Sequence, residues 1–337
     1  MAKIEIYTLV LGSIFFDLLI GDPTFLVHPV QIIGLWIDKF SKTYLRYFKG
    51  KYSQLFGGLI LLLTTLTLSY FSGKYLELKF FNSRGHIFWT IIILIGISSC
   101  LATKSLFSSV QEISSLFEEN SLEEKPKQNI INKVQRLVSR DVSSCSKANL
   151  LRSTTESLTE NSVDGIFGPL FWIFIGAFCI NHSIYLPGPL SLGFTYKALS
   201  TLDSMVGYKH KPFKYLGFFS AKLEDYATYL PCRVVVLTLP LVSTKIFHYL
   251  KLIQKTFSEG SIYESPNSGI SQAIFANIVN IKLGGENKYQ EKIISKPILN
   301  SKGNKCKRGS IMHICNLIIR LEILWLIVFS LIFYKFI

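Results

Sequence analysis

Charge is scarce in this chain. Only 17% of its 337 residues are Asp, Glu, Lys or Arg, against about 25% in soluble globular proteins. That deficit excludes an ordinary water-soluble surface. Acids are scarcer than bases, 22 against 36, giving a formal net charge of +14. Nucleic-acid binders gather Lys and Arg on one motif or face. Here the bases are spread through polar stretches beside apolar ones, so no nucleic-acid partner is expected. Anionic lipid and anionic substrates remain as partners. The six cysteines, Cys100, Cys145, Cys179, Cys232, Cys306 and Cys315, form no CxxC pair, which argues against a zinc site or a disulfide framework. There is no GxxxxGK[ST] phosphate loop, no GxGxxG after a strand and no HExxH; P-loop, dinucleotide-fold and zincin chemistry are thereby set aside. Internal repeats and low-complexity stretches are also lacking.

What is abundant is apolar. Hydrophobic residues make up 49% and mean hydropathy is +0.35. The clearest apolar runs are 55–71, 87–101 and 317–337. Each approaches the roughly 20 residues a helix needs to cross hydrocarbon, and Tyr70, Trp89, Trp325 and Tyr334 lie where interfacial anchors belong. A shorter run, 6–20, is interrupted by Asp17. Gly21-Asp22-Pro23 is not a small-x-small cleavage site, so this run reads as a retained first span. These features predict an all-α, polytopic helical membrane protein with about four firm spans. Residues 1–337 read as one integral membrane domain, with a helical segment at 104–164 and a basic segment at 245–310, both expected in the cytoplasm.

Orientation follows from loop charge. The stretch 21–54 carries Lys39, Lys42, Arg46, Lys49 and Lys51, and the connection after Phe71 carries Lys74, Lys79 and Arg84. The bias places 21–54 in the cytoplasm. Residues 245–308 hold eleven bases and belong on the same side. Within 104–164, Glu118-Glu119 and Glu123-Glu124 precede Pro126, which is expected to break a helix. Ile130, Val134, Leu137 and Val138 then recur at helical spacing, and 148–158 reads as an amphipathic helix.

Several polar constellations carry candidate chemistry. Asp17 lies inside an apolar helix, where a carboxylate is costly unless paired or facing a polar cavity; Gly21-Asp22-Pro23 and His28-Pro29 follow. The alternative is a capped span end with a solvated His28. Arg140-Asp141 is an adjacent pair whose side chains diverge on a helix. Arg140 suits a two-pronged grip on phosphate or carboxylate, or a surface ion pair with the acids upstream. Arg152, Glu156 and Glu160 share one helix face at i, i+4 and i+8, and Asp164 extends it. Stacked carboxylates invite a cation, and Mg²⁺ prefers oxygen ligands beside phosphates; a solvated charged face is the plain alternative. Tyr196-Lys197 and Asp203 lie on a stretch ended by Gly207. Lys222, Glu224, Asp225 and Arg233 come next. Asn267 and Leu283-Gly284-Gly285 read as turns.

Taken in order, these pieces resemble the adenosylcobinamide-phosphate synthase family of cobalamin biosynthesis, the CbiB/CobD membrane proteins. The resemblance runs from about Asp17 to Tyr289. It rests on Gly21-Asp22-Pro23 with His28-Pro29, on Arg140-Asp141, and on Glu156-Ser-Leu-Thr-Glu160-Asn161-Ser-Val-Asp164-Gly165. Tyr196-Lys197, residues 201–208, Pro231-Cys232-Arg233, Asn267-x-Gly269 and Leu283-Gly284-Gly285 complete it. The chain departs from the family's usual residues at Ser139, Gly168, Ser200, Lys222, Glu224, Thr228 and Cys232. Charge type survives at Lys222 and Glu224, but Lys lacks the planar fork of Arg.

The resemblance implies an ATP-dependent ligase joining a carboxylate of adenosylcobyric acid to an amino alcohol phosphate. It implies ATP and Mg²⁺, a corrinoid as substrate, membrane lipid around the chain, other cobalamin-assembly enzymes as partners, and a prokaryotic cell membrane with the site facing the cytoplasm. On these residues, Glu156, Glu160, Asp164 and Asp203 are metal candidates. His28, Glu156, Glu160 and Asp164 are catalytic candidates, with His28 as a base. Asp22, Arg140, Asp141, Asn161, Lys197, Asp203, Asp225, Arg233 and Asn267 are candidates for substrate or phosphate. A shared cytoplasmic site requires residues 165–180 to be re-entrant or to fold back with 185–194 as a bent hairpin, and the same parity applies to 230–242. The rival readings are a transporter using Asp17 and a broken helix near Pro169, and a non-catalytic scaffold.

Overall fold

A computed structural model describes residues 2–21, 28–83, 86–117, 126–289 and 292–335. Asp22, Arg84, Glu118-Glu119 and Glu123-Glu124 lie outside the described residues. In chain order the helices are α1 (Ala2–Leu19), α2 (Pro29–Tyr47), α3 (Lys51–Asn82), α4 (Ile87–Ser98), α5 (Thr103–Ser115), α6 (Gln128–Leu137), α7 (Lys147–Ser162), α8 (Gly168–His182), α9 (Pro189–Val206), α10 (Phe218–Thr238), α11 (Tyr249–Gly260), α12 (Ser268–Val279) and α13 (Arg308–Lys335). A π-helical turn, Val163–Phe167, joins α7 to α8, and two antiparallel strands, β1 (Leu283–Tyr289) and β2 (Lys292–Leu299), precede α13.

The protein is a polytopic helical membrane protein. Among the described residues three helical runs are long and apolar enough to cross a bilayer: α3, the 36 residues from Lys147 to His182, and α13. A fourth arises if α4 and α5 form one broken span. The expected runs 55–71, 87–101 and 317–337 fall in α3, α4 and α13. The run 6–20 is helical as α1, but Lys3, Glu5 and Asp17 keep it outside the three. The loop charges used for orientation are differently placed. Lys39, Lys42 and Arg46 lie on α2. Lys74 and Lys79 belong to α3, whose helix continues past the apolar stretch because its polar residues find partners.

The chain divides into two compact units. The first comprises Met1–Lys104, Asp164–Thr228 and Leu326–Ile337; the second comprises Ser105–Val163 and Tyr229–Trp325. In the first unit α2, α3 and α9 enclose a core of Ile37, Leu61, Leu62, Leu199, Leu202 and Val206. The backbones of α3 and α9 meet at Gly73, where an added Cβ would lie 2.7 Å from the Ser191 Cα. Asp17, 1% exposed, accepts the backbone N–H of Thr103 at 3.0 Å. It therefore caps the start of α5, where a helix presents unsatisfied N–H groups and partial positive charge. That accounts for a carboxylate in an apolar helix without a substrate.

Residues 165–167 belong to the π-helical turn and 168–180 to α8. Of the two forms expected, the hairpin is the one seen: α9, which begins inside 185–194, packs back along α8, with Gly176 facing Gly188 and Gly168 facing Tyr196, so the two helices are antiparallel. Pro169, which has no N–H to donate, stands just after the π-helical turn, at the start of α8. The reversal is held by charge from α3. Glu77, 2% exposed, accepts the N–H groups of Leu190 (2.8 Å) and Ser191 (3.0 Å) at the start of α9. Lys74 donates to the carbonyls of Ile184 (2.6 Å) and Leu186.

In the second unit α12 packs on α11 and α7, and α6 lies on α7. Ile130, Ile131 and Val134 bury one face of α6 as its periodicity predicts. The expected amphipathic helix 148–158 is longer than expected, and it has no broad solvated face: Ser153, Thr154, Thr155, Glu156, Ser157 and Thr159 are all buried. The β-hairpin was not legible. Leu283-Gly284-Gly285, read as a turn, opens β1, with Gly284 at φ +84° and Gly285 at φ +92° and a register shift beside them. Residues 230–242 form the end of α10, with Pro231 inside it, and a short 3₁₀ turn, Leu239–Val242.

The Glu77 contacts yield a test. Glu77→Ala strands two buried N–H groups and should cost about 3 kcal/mol, read as a lowered unfolding temperature in detergent. Glu77→Gln keeps an acceptor and should lose clearly less. Equal losses in the two variants would contradict the capping role.

Candidate functional site

The second unit gathers much of the unusual polar chemistry around one side chain. Ser146 caps α7 by accepting the Asn149 N–H, and Glu156 follows two and a half turns later with no solvent exposure. A bare carboxylate there would cost several kcal/mol. It is neutralised from three directions. Arg140, 7% exposed, places Nη1 2.6 Å from one carboxylate oxygen. The other oxygen accepts the Gly284 N–H at 2.8 Å and lies 3.5 Å from Nη1 of Arg152, one turn before it on α7.

Both guanidinium groups also grip β1. Arg152 donates to the carbonyls of Gly284 and Glu286 (2.7 Å) and to Oδ1 of Asn287 (3.3 Å); Arg140 donates to the same Asn287 oxygen. The positive φ of Gly284 and Gly285 turns the strand so that an N–H and a carbonyl face α7. Two cations surround one anion, so the cluster keeps a net positive charge.

Neighbouring residues extend this frame. Glu160, one turn beyond Glu156 and only partly buried, accepts from Gln272 of α12 at 3.0 Å. Asn161 donates to Ser157, which donates to the Leu137 carbonyl. At the start of α12, Asn267 accepts from Arg233 at 2.6 Å. Arg233 also bonds the Pro266 carbonyl at 2.8 Å and stacks 3.6 Å over the Tyr229 ring. The Tyr263 hydroxyl is pushed above its usual range by burial and by the charges of Glu156 and Glu160. Asp141 and Arg140, expected on a helix, lie instead in the loop after α6, where Asp141 forms an isolated bridge with Lys288. The Asp141 carboxyl lies below the usual range, through hydrogen bonds from Ser143 and the nearby Lys288 (3.5 Å).

Other candidates belong to the first unit. His28 caps α2: its Nδ1 accepts the Val30 N–H at 3.2 Å. In a neutral ring this leaves the proton on Nε2, which does not suit the expected base. Asp164 stands in the π-helical turn, Lys197 and Asp203 on α9, and Asp225 on α10, each partly buried. Two departures from the family pattern are bonded together: Thr228 donates to Glu224 at 2.5 Å and pairs with the buried Tyr196 hydroxyl at 2.8 Å. Asp22 lies outside the described residues.

Among the described residues no three His, Cys, Asp or Glu side chains converge as metal ligands. Glu156, the first of the four Mg²⁺ candidates, is committed to two arginines and a backbone N–H, which suits it to a structural ion pair rather than to a metal. The sequence reading undervalued Arg152 and missed Gln272, Tyr263 and Asn287. Gln272 bonds Glu160, Asn287 bonds the two arginines and Tyr263 feels the glutamate charges, each from more than a hundred residues along the chain, and nothing local marks them.

The family model described as CobD/Cbib protein matches residues 10–318. "Cobalamin biosynthesis protein CobD" of Synechocystis is 39% identical over 290 residues, 86% of this chain and 80% of that protein. The protein of the same name from Streptococcus sanguinis is 32% identical over 95% of each chain, and "Cobalamin biosynthesis protein CbiB" of Salmonella typhi is 32% identical over 83% of each. No solved structure matches. A helical membrane protein with a buried arginine–glutamate centre is the class that the fold defines. The chain belongs to the CobD/CbiB family.

Gly284 supplies the test of this geometry. A Cβ there would lie 2.1 Å from the Pro297 carbonyl, in a backbone conformation that side chains rarely adopt. Gly284→Ala should cost about 2 kcal/mol by thermal unfolding. Gly309→Ala, with open space around it, should stay within about 0.5 kcal/mol. A Gly284→Ala protein as stable as the parent would contradict the strand–helix bond.

Proposed function

We propose that this chain acts in cobalamin biosynthesis as a ligase joining a carboxylate of adenosylcobyric acid to the amine of an amino alcohol phosphate at the expense of ATP. The observation that carries the reading is that one unit holds three bonded groups, Arg140–Glu156–Gly284, Glu160–Gln272 and Arg233–Asn267. All but Gln272 are among the residues on which the resemblance rests. The names of the relatives support the pathway; the bond-forming step is our reading.

The chemistry sets the requirements. A carboxylate oxygen is a poor leaving group, so the γ-phosphoryl group of ATP moves to it, giving an acyl phosphate and ADP. The amine nitrogen then attacks the carbonyl carbon, phosphate leaves with the C–O bond, and the nitrogen gives up its proton to a base. In this reading Glu160 takes that proton. It is partly open, unlike Glu156, and the Gln272 amide fixes one of its oxygens while the other can face a reactant. Glu156 has a positioning role: it holds Arg140 and Arg152 in place. The surplus positive charge of that cluster favours anions in its vicinity. No step is assigned to a protein-bound Mg²⁺. The site is assigned to the cytoplasmic face, where ATP is found.

Purified protein in nanodiscs, given adenosylcobyric acid, aminopropanol phosphate and Mg-ATP, should form adenosylcobinamide phosphate with one ADP per amide, detected by liquid chromatography and mass spectrometry. Glu160→Gln should lower kcat by about 10²–10⁴-fold, the range for loss of a general base, while the protein stays folded. Undiminished turnover by that variant would remove the base assignment. No product from folded parent protein would overturn the ligase.

A further inference from the structure

Gln272 is fully buried on α12, yet only one end of its amide is bonded within the described residues. Its Nε2 donates to Glu160 Oε2 at 3.0 Å. Among the described residues nothing donates to its Oε1. A buried acceptor left unpaired is costly, and native folds pair nearly all such groups. The donors around the glutamates are committed elsewhere. The Tyr263 hydroxyl donates to the Pro297 carbonyl at 3.1 Å, the Asn161 amide to Ser157 at 3.0 Å, and Arg152 to the Glu286 carbonyl at 2.7 Å.

The oxygen and nitrogen of an amide share one carbon, so Gln272 Oε1 is fixed beside the Glu160 carboxylate. Glu160 is partly exposed, and an incoming molecule meets it first. Gln272 Oε1 and the second Glu160 oxygen are both acceptors, and together the two side chains carry one negative charge. A matching ligand brings several donors and positive charge. A protonated primary amine brings three N–H groups; a hydroxyl brings one donor and no charge.

We infer that Gln272 Oε1 and Glu160 form the seat of a primary amine, which in the proposed reaction is the attacking amine of the amino alcohol phosphate. The assignment of that amine rests on the ligase reading. Entry needs a turn of the partly exposed Glu160 side chain, a rotamer change of the kind that is fast in exposed residues. The two acceptors then divide the work. A carboxylate is basic enough to take a proton, whereas an amide oxygen holds an N–H without removing it. Of the three N–H groups of the arriving ammonium, one proton leaves through Glu160 to solvent and frees the lone pair. A second passes to Glu160 as the C–N bond forms and phosphate departs with the C–O bond. The third stays in the product amide, and Gln272 holds it. Gln272 thereby selects amines that keep an N–H.

The full chain in nanodiscs is titrated by microscale thermophoresis with three probes. These are aminopropanol phosphate, propan-2-yl phosphate, which lacks the amine, and the N-trimethyl analogue, which keeps the charge but has no N–H. The parent should bind the first about tenfold or more tighter than either of the others, the effect of one charge-assisted hydrogen bond. Gln272→Met should erase that preference and leave propan-2-yl phosphate bound as in the parent. Gln272→Glu should keep the preference, because an acceptor remains. Were Gln272 only a donor to Glu160, Gln272→Glu would be the more damaged variant, with two carboxylates in contact. A parent that binds the three probes equally, or none of them, would overturn the seat, and this series decides even where a variant fails to fold. A folded Gln272→Met protein that keeps the preference, or a folded Gln272→Glu protein that loses it, would overturn it too. Turnover is read separately: a parent that prefers the amine but forms no product removes the ligase reading and leaves the seat standing.

Discussion

The second unit is organised by a carboxylate without water. Glu156 is fully buried on α7, and burial of an ion is tolerated only when its charge and lone pairs are met. Meeting them recruits Arg140 from the loop after α6, Arg152 from α7 itself and the Gly284 N–H from β1. The same two arginines then fix Asn287 and the β1 carbonyls. One charge thus determines where a loop, a helix and a hairpin meet, and it leaves the partly open Glu160 one turn further along.

The first unit repeats the logic under a different constraint. Buried backbone groups must be satisfied by protein. Lys74 and Glu77 of α3 do this for the reversal between α8 and α9, and Asp17 does it for the start of α5. Charged residues inside these helices are therefore structural elements, which weakens the transporter reading that took Asp17 as a binding group.

Legibility followed range. The apolar runs gave the fold class, and the spacing of Ile130 and Val134 gave α6. Gly207 ended α9 as expected; Arg140 and Asp141, expected on a helix, lie in the loop after α6, where they bond different partners. What failed required partners far along the chain. Glu156, Glu160 and Asp164 looked like a ligand set because they share a face. Glu156 is spent on Arg140 and Gly284, and the link from Glu156 to Gly284 spans 128 residues. Gly284-Gly285 carries a turn signature, yet its positive φ values serve a strand that must face an arginine. Lys74 read as a loop charge because the apolar run had ended, although its helix had not.

The central claim is that Glu156 is an anion held by arginine. A double-mutant cycle measures it: Arg140→Met, Glu156→Gln and the pair, each followed by reversible unfolding in detergent. The account predicts a coupling of about 2 kcal/mol or more, in line with interacting buried groups, with the double variant more stable than the two single losses summed. Additive losses, with coupling near zero, would contradict it.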